Sequence, residues 1–219
     1  MIAAGRGNRL RPITDRWPKP VLPIDGEAVV ATLLHELAAA GVARITVVTG
    51  YLAEQVEALV ETLPYEIRFA RQPRQDGSLD AVRRAKPSAP MLVAAADTRF
   101  GPGDIGRFLT AARASEAALA VRRQEGRPGH TRVEVAGGRV VRVVAPDAPG
   151  PWTAAPLWWL GPAAARHLHG EVPGPPYELA AAVQNAIRAG ISVSAIQIGR
   201  TRDLTTPVDL VRENFPYLR

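Results

Sequence analysis

The amino-acid sequence predicts an α/β fold: a three-layer α/β/α sandwich on a mostly parallel mixed sheet, with a small antiparallel insertion. Three observations carry this. The first hundred residues alternate apolar runs with amphipathic helical stretches in a β-α-β-α-β order, which specifies parallel strands joined by crossover helices. Ile45–Thr49 (ITVVT) and residues 91–96 (MLVAAA) are apolar nearly throughout, as strands covered on both faces require. Later in the chain, two strand-like runs flank Gly137-Gly138, a hairpin signal.

Taken in order, residues 1–4 are the stub of a first strand running into Gly5. Residues 27–40 place Val29, Val30, Leu33, Leu34 and Leu37 on one helical face, and Gly41 stops that helix. Ile45–Thr49 is the second strand, 52–63 the second helix and 65–70 an alternating strand. Residues 78–85 form a short helix opened by Gly77 and capped by Ser78. The buried strand at 91–96 then ends at Asp97. Strands follow at 117–122, 131–136, 139–144 and Trp152–Leu160. Residues 161–169 and 177–189 are helical, Gly190 stops the second of these, and 191–198 is the last strand. Thr206, Pro207 and Asp209 supply a cap, a first-position proline and a first-turn carboxylate for a helix over Pro207–Asn214. The whole, residues 1–219, is expected to be a single domain.

Composition narrows the function. A chain of 219 residues can bury a sizeable core. It has no cysteine, which excludes disulfides, thiolate catalysis and Cys-ligated zinc or iron–sulfur centres. No apolar run approaches the ~20 residues of a membrane span, and the start is too short in apolar residues for a signal peptide. A cytoplasmic protein without a membrane partner is the expectation. The net charge is +6, yet 25 of the 27 basic residues are arginines scattered through an Ala/Arg/Gly/Pro-rich chain. The aromatic residues do not interleave with them, so the charge reads as coding bias and no nucleic-acid partner is expected.

One stretch stands apart. Residues 5–20, GRGNRLRPITDRWPKP, place Arg6, Arg9, Arg11, Arg16 and Lys19 against a lone Asp15 on a Gly/Pro-rich loop. A glycine-rich turn at the carboxyl end of a first strand is where open α/β sheets bind ligands. Gly5 and Gly7 let backbone N–H groups approach an anion, so the inferred target is a phosphate chain. The loop is neither a Walker A motif, lacking G-K-[ST], nor a dinucleotide fingerprint, since position 10 is Leu. Lys19, fixed between Pro18 and Pro20, suits a transferring phosphoryl group. Asp97 projects at the same sheet edge, where a carboxylate suits Mg²⁺. Asp203, between the last strand and the last helix, is a second candidate. His167 and His169 read as a surface pair at a helix end, not a metal site.

Residues 2–26, IAAGRGNRLRPITDRWPKPVLPIDG, resemble the opening signature of the sugar-phosphate nucleotidyltransferase family, which includes glucose-1-phosphate and mannose-1-phosphate nucleotidyltransferases. Gln72 with residues 76–82 (DGSLDAV) is similar to the family's nucleobase-reading element, Ala96-Asp97-Thr98 to its metal-binding strand end, and residues 203–210 (DLTTPVDL) to its last motif. The resemblance implies a Rossmann-like fold and transfer of NMP from an NTP to a sugar 1-phosphate, releasing pyrophosphate. It implies that Ala3, Ala4, Gly5, Gly7, Asn8, Gln72, Gly77 and Ser78 bind the nucleotide, with Gln72 and Gly77 reading the base. It gives Arg9 and Lys19 catalytic roles on the phosphates, and Mg²⁺ to Asp97 and Asp203.

The pattern departs at Asn8, Ala96 and Thr205, where the family has Thr or Ser, Gly and Gly. It also lacks the usual acidic-Lys-Pro element at 143–147 (VVAPD) and matches the sugar-pocket strand poorly at 154–159 (AAPLWW). These departures leave two other readings open. One is a non-sugar acceptor, phosphocholine-like or molybdopterin, with Trp152, Trp158 and Trp159 as an aromatic cluster for a quaternary ammonium. The other is a nucleotide-binding regulatory homologue without catalysis. The family's first strand also carries four or five more residues before A-A-G. The stub is therefore expected to be truncated, and a few added upstream apolar residues to raise the melting temperature.

Overall fold

The computed structural model describes residues 1–123, 131–144, 147–148, 150–215 and 217. Nine of the strands it contains line up into one mixed sheet. They are β1 (Ile2–Ala3), β2 (Ile45–Thr49), β3 (Ile67–Arg71), β4 (Met91–Ala94), β5 (Ala117–Arg123), β6 (Glu134–Ala136), β7 (Arg139–Arg142), β8 (Trp152–Leu160) and β9 (Val193–Gln197). Their order across the sheet is β3-β2-β1 followed by β4-β8-β5-β9-β7-β6. The two blocks are joined by a parallel bridge from Ile2 to Ala95, and Ala96 N–H donates to the Ile2 carbonyl at 2.8 Å. Only β7 and β8 run against the other strands of this sheet. The expected mostly parallel mixed sheet is therefore observed, with the antiparallel part in the second half.

Seven helices are described: α1 (Val29–Ala39), α2 (Ala53–Glu61), α3 (Ser78–Arg84), α4 (Asp104–Ala112), α5 (Pro162–Ala165), α6 (Leu179–Arg188) and α7 (Pro207–Asn214). The sheet separates two apolar clusters. One packs Val30, Leu33, Leu34 and Leu37 of α1, Val56 and Val60 of α2, and Ile105, Phe108 and Leu109 of α4 against Ala118 and Ala120. The other packs Leu79 and Val82 of α3, Leu168, and Ala182 and Val183 of α6 against Ala117, Leu119 and Val121. Successive β5 residues serve opposite layers, which is why that strand is apolar throughout.

Several sequence expectations need correction. The helices expected at 27–40 and 52–63 are each three residues shorter, and the strand expected at 65–70 is Ile67–Arg71, because ends fray into turns, whereas Ile45–Thr49 keeps its expected bounds. The strand expected at 91–96 ends at Ala94, and the one expected at 131–136 starts at Glu134. Helix α4 was not anticipated, although Ile105, Phe108, Leu109 and Ala112 are spaced for one face. Ser78 does not cap its own helix. Gly77 holds the N-cap position at φ 99°, ψ 174°, and the Ser78 hydroxyl accepts from Leu179 N–H at 2.8 Å, at the start of α6. At α7 the expected capping box is present between Thr206 and Asp209.

The three tryptophans do not converge. Trp158 packs into the α3/α6 layer and Trp159 against the α1/α4 layer, as alternation along β8 demands. Trp152 also borders the α3/α6 layer and lies under the Arg123 guanidinium, 5.9 Å from the ring centroid. His167 and His169 sit on a 3₁₀ turn, and no metal-sized group of His, Asp or Glu side chains forms among the described residues. In the 143–147 segment, Ala145 and Pro146 lie outside the described residues.

Candidate functional site

The strand order dictates where a ligand would sit. From β1 the chain builds β2 and β3 on one side, then crosses to β4 on the other. A crevice therefore opens at the carboxyl ends of β1 and β4, the switch point of an open sheet. A cavity of about 300 Å³ lies there, lined by Ala3, Gly5, Gly7, Asn8, Arg9, Lys19, Asp97 and Thr205 among others. A larger cleft of about 990 Å³ opens beside Met1 at the amino-terminal edge, and none of the candidate site residues lines it.

The 5–20 loop is held by its own turns. Gly7 adopts φ 69° in the left-handed region, where a Cβ would meet Thr14 Cγ2 at 3.2 Å and Lys19 Cβ at 3.4 Å. The buried Thr14 hydroxyl donates to the Gly7 carbonyl at 3.0 Å. Short 3₁₀ turns over Asn8–Leu10, Ile13–Asp15 and Lys19–Val21 follow, and Leu10 anchors the loop in a small core with Leu22, Ile24, Val29 and Leu204. The five cations then separate. Arg11 pairs with Asp15 at 2.8 Å, and Arg6 reaches Asp15 at 4.0 Å while stacking over Tyr51. Arg16 and Trp17 face a different, apolar groove with Leu210. Arg9 and Lys19 alone among the five line the switch-point cavity.

Lys19 Nζ lies 2.7 Å from Asp97 Oδ2. The lysine side chain is 13% exposed and the carboxylate 42%. Asp203 pairs with Thr98 across a two-strand ribbon, Thr98–Arg99 with Arg202–Asp203. Thr98 Oγ1 donates to Asp203 Oδ1 at 2.6 Å and lies 3.4 Å from Asp97 Oδ1. Arg122 and the Thr201 hydroxyl donate to Asp203 Oδ2 at 3.3 Å and 3.2 Å. The two Oδ1 atoms are thus at most 6.0 Å apart, whereas two ligands of one Mg²⁺ sit within about 4 Å. A hard cation held by one or two carboxylates and by substrate phosphates fits this donor set. Asp97 lines the cavity, whereas Asp203 is not among its lining residues and is held behind it by Thr98, Arg122 and Thr201.

Gln72, Gly77 and Ser78 form a second cluster outside that cavity. Gln72 N–H donates to the Thr49 carbonyl at 2.7 Å. Its side-chain nitrogen donates to the Gly77 carbonyl and to Asp80 Oδ2, both at 2.9 Å, so both amide protons are used and Oε1 remains as an acceptor. Burial pulls the Asp80 carboxyl upward, but hydrogen bonds from Arg84 and Gln72 outweigh it and hold it below its ordinary value. Gly50 joins the clusters: a Cβ there would lie 2.9 Å from Ala4 Cβ and O and 3.0 Å from the Gln72 carbonyl. Ala4 is buried and outside the cavity lining; its carbonyl accepts from Tyr51 N–H at 3.1 Å. From the sequence, Gly50 and Arg122 are left out of the site, and Asp80 and Thr98 stand inside matched motifs without a role of their own. Gly50 at the end of an apolar strand carried a signal, whereas the others are visible only through their partners.

A family model described as the MobA-like NTP transferase domain matches residues 1–168. The chain belongs to the MobA-like NTP transferase domain family. It is 44% identical over 64 residues, 29% of its length, to a 2-aminoethylphosphonate cytidylyltransferase of Lancefieldella rimae, of which this covers 26%. It is 34% identical over 93 residues, 42% of its length, to an N-acetylmuramate alpha-1-phosphate uridylyltransferase of Neisseria meningitidis, of which this covers 40%. The chain thus matches less than half the length of these relatives. Among solved structures, the inositol-1-phosphate CTP transferase of T. maritima superposes with a TM-score of 0.81 at 19% identity, over 95% of this chain and 89% of that one. Among the described residues, no helix of the chain is long and apolar enough to cross a membrane.

Proposed function

We propose that this NTP transferase domain, a single domain over residues 1–219, transfers a nucleoside monophosphate from an NTP to a sugar 1-phosphate. The observation that carries this is the meeting of Lys19 and Asp97, 78 residues apart, beside the Gly5–Asn8 turn in one cavity. An acceptor phosphate oxygen attacks the α-phosphorus, the α–β phosphoanhydride bond breaks, and pyrophosphate leaves. A phosphate monoester is already a nucleophile at neutral pH, so charge placement is the main task of the protein.

The N–H groups of Gly5, Gly7 and Asn8 cradle the triphosphate, and Arg9 neutralises the departing pyrophosphate. Lys19 leaves Asp97 to contact the α-phosphate, where negative charge builds up. Asp97 and Asp203 would hold Mg²⁺, which when bound supplies Lewis-acid neutralisation of the phosphates. Gln72 and the Gly77 backbone meet the base, Ala3 and Ala4 floor the nucleotide pocket, and Ser78 holds the base-side turn against α6. A proposed dependence on NTP supports a cytoplasmic location.

A second acceptor class is favoured by one observation, the stretch 44% identical to a 2-aminoethylphosphonate cytidylyltransferase. The acceptor would then be a phosphonate or a phosphate monoester without a sugar ring. Pyrophosphate release distinguishes the readings when Mg²⁺ and each NTP are combined with a panel of sugar 1-phosphates, phosphocholine and 2-aminoethylphosphonate. Release with a sugar 1-phosphate supports the first, release only with the small acceptors the second, and silence across the panel refutes both.

A further inference from the structure

We propose that the Lys19–Asp97 ion pair is an exchangeable lock: it keeps a divalent cation off Asp97 until a phosphate-bearing ligand draws the lysine away. The inference rests on the nucleotidyl-transfer reading and adds an order to it.

The geometry is specific. Lys19 Nζ sits 2.7 Å from Asp97 Oδ2 with its side chain largely withdrawn, while the carboxylate remains 42% exposed. The other oxygen, Oδ1, has the Thr98 hydroxyl at 3.4 Å, but that group has one proton and directs it to Asp203 Oδ1 at 2.6 Å. Asp203 is matched by Arg122, whose side chain is only 8% exposed, at 3.3 Å. A dication entering the ligand-free site therefore meets two carboxylates that already face cations. Charge repulsion at a few ångströms in a partly buried site is large compared with that in water.

Lys19 can release this lock without moving the loop. Its backbone is set by a 3₁₀ turn and flanking prolines, and its stem lies alongside Gly7, with Cβ and Cδ 3.4 Å and 3.8 Å from where a Gly7 Cβ would be. The ammonium thus pivots at the turn that receives the phosphates, and a flexible four-carbon stem permits the swing. By linkage, whatever factor a phosphate ligand gives the cation, the cation returns to that ligand.

The test is Mn²⁺ binding to the full chain without nucleotide, followed by electron paramagnetic resonance. Lys19→Met is expected to bind Mn²⁺ at least ten-fold more tightly than wild type, and Lys19→Met/Asp97→Asn to lose that gain. Lys19→Gln serves the same purpose if the methionine variant does not fold. Unchanged Mn²⁺ affinity in the folded lysine variant overturns the lock, as does a gain that survives Asp97→Asn. Wild-type pyrophosphate release, measured separately, shows which claim fails. Release with no Mn²⁺ gain leaves nucleotidyl transfer standing without the lock, whereas a gain without release on any acceptor removes the transfer reading and with it the order proposed here.

Discussion

Replacing Gly77 by alanine tests how the base-side cluster is held. Gly77 sits at φ 99°, ψ 174°, a region where a side chain costs about 1–3 kcal/mol. A Cβ there would also lie 2.3 Å from the Tyr177 carbonyl oxygen and 2.5 Å from its nitrogen. That backbone cannot yield cheaply, because Leu79 N–H donates to Tyr177 O at 2.9 Å and Tyr177 N–H to Asp76 O at 2.7 Å. Losing both hydrogen bonds costs about 1 kcal/mol each. Reduced freedom of the unfolded chain returns about 0.4–1 kcal/mol, leaving a net loss of about 3 kcal/mol. For a chain of this length that lowers the melting temperature by about 6–12 °C. Because Tyr177 leads directly into Glu178, which accepts from Ser78 at 2.5 Å, nucleotide affinity should also fall about ten-fold. Scanning calorimetry and nucleotide titration check both. A variant melting within 2 °C of wild type with unchanged affinity would refute the reasoning.

Lys19→Ala should lower kcat/KM by about 10²–10³ with little change in melting temperature, the usual cost of removing a charge-stabilising donor; steady-state pyrophosphate release measures it. Arg202 donates to both oxygens of Asp25 and to the buried Glu213 carboxylate, and its hydrogen bond holds the Asp25 carboxyl below its ordinary value. Arg202→Met should destabilise the chain by about 2–3 kcal/mol, reduced from the fully buried case because Asp25 and Arg202 are partly exposed; urea unfolding at pH 7 reads it. Burial of the Met1 amine, which donates to the Thr46 carbonyl at 2.8 Å, pushes its pKa from 8.0 down to about 5. The unfolded chain then binds the proton first, so stability is full above pH 8 and falls between pH 8 and pH 5. Because Met1 is only half-buried, solvent screening limits the loss to about 1–2 kcal/mol, and an N-acetylated chain should show a flatter urea-midpoint profile over that window.

Much of the fold was legible because burial imposes periodicity. Strand β8 and helix α7 were read with their observed bounds, the first from a long apolar run and the second from its cap. What periodicity does not encode is which strands become neighbours. Strand β8 inserts antiparallel between β4 and β5, and the run Trp152–Leu160 would look the same at an edge. Ser78 shows a similar limit. A serine opening a helix after glycine reads as that helix's cap, yet its hydroxyl serves α6, a hundred residues away. Helix α4 is a different case, since the spacing of Ile105, Phe108, Leu109 and Ala112 is written in the sequence itself.

The candidate site divides along the same line. The 5–20 loop was visible because glycine, proline and charge crowd together there, and the structure sorts its cations by a rule that local sequence lacks. Arg6 and Arg11 reach Asp15 within the loop, whereas Lys19 reaches Asp97 across the sheet. A cation satisfied by its own loop has no reason to enter the crevice; one held by a residue on the far side of the switch point has its charge at the crevice already. Among the paired cations of this loop, the useful distinction is therefore whether the counter-ion lies inside the loop or across the switch point. By that measure Arg122, the last buried residue of β5, which faces Asp203 81 residues on, belongs with Lys19 and not with the scattered surface arginines.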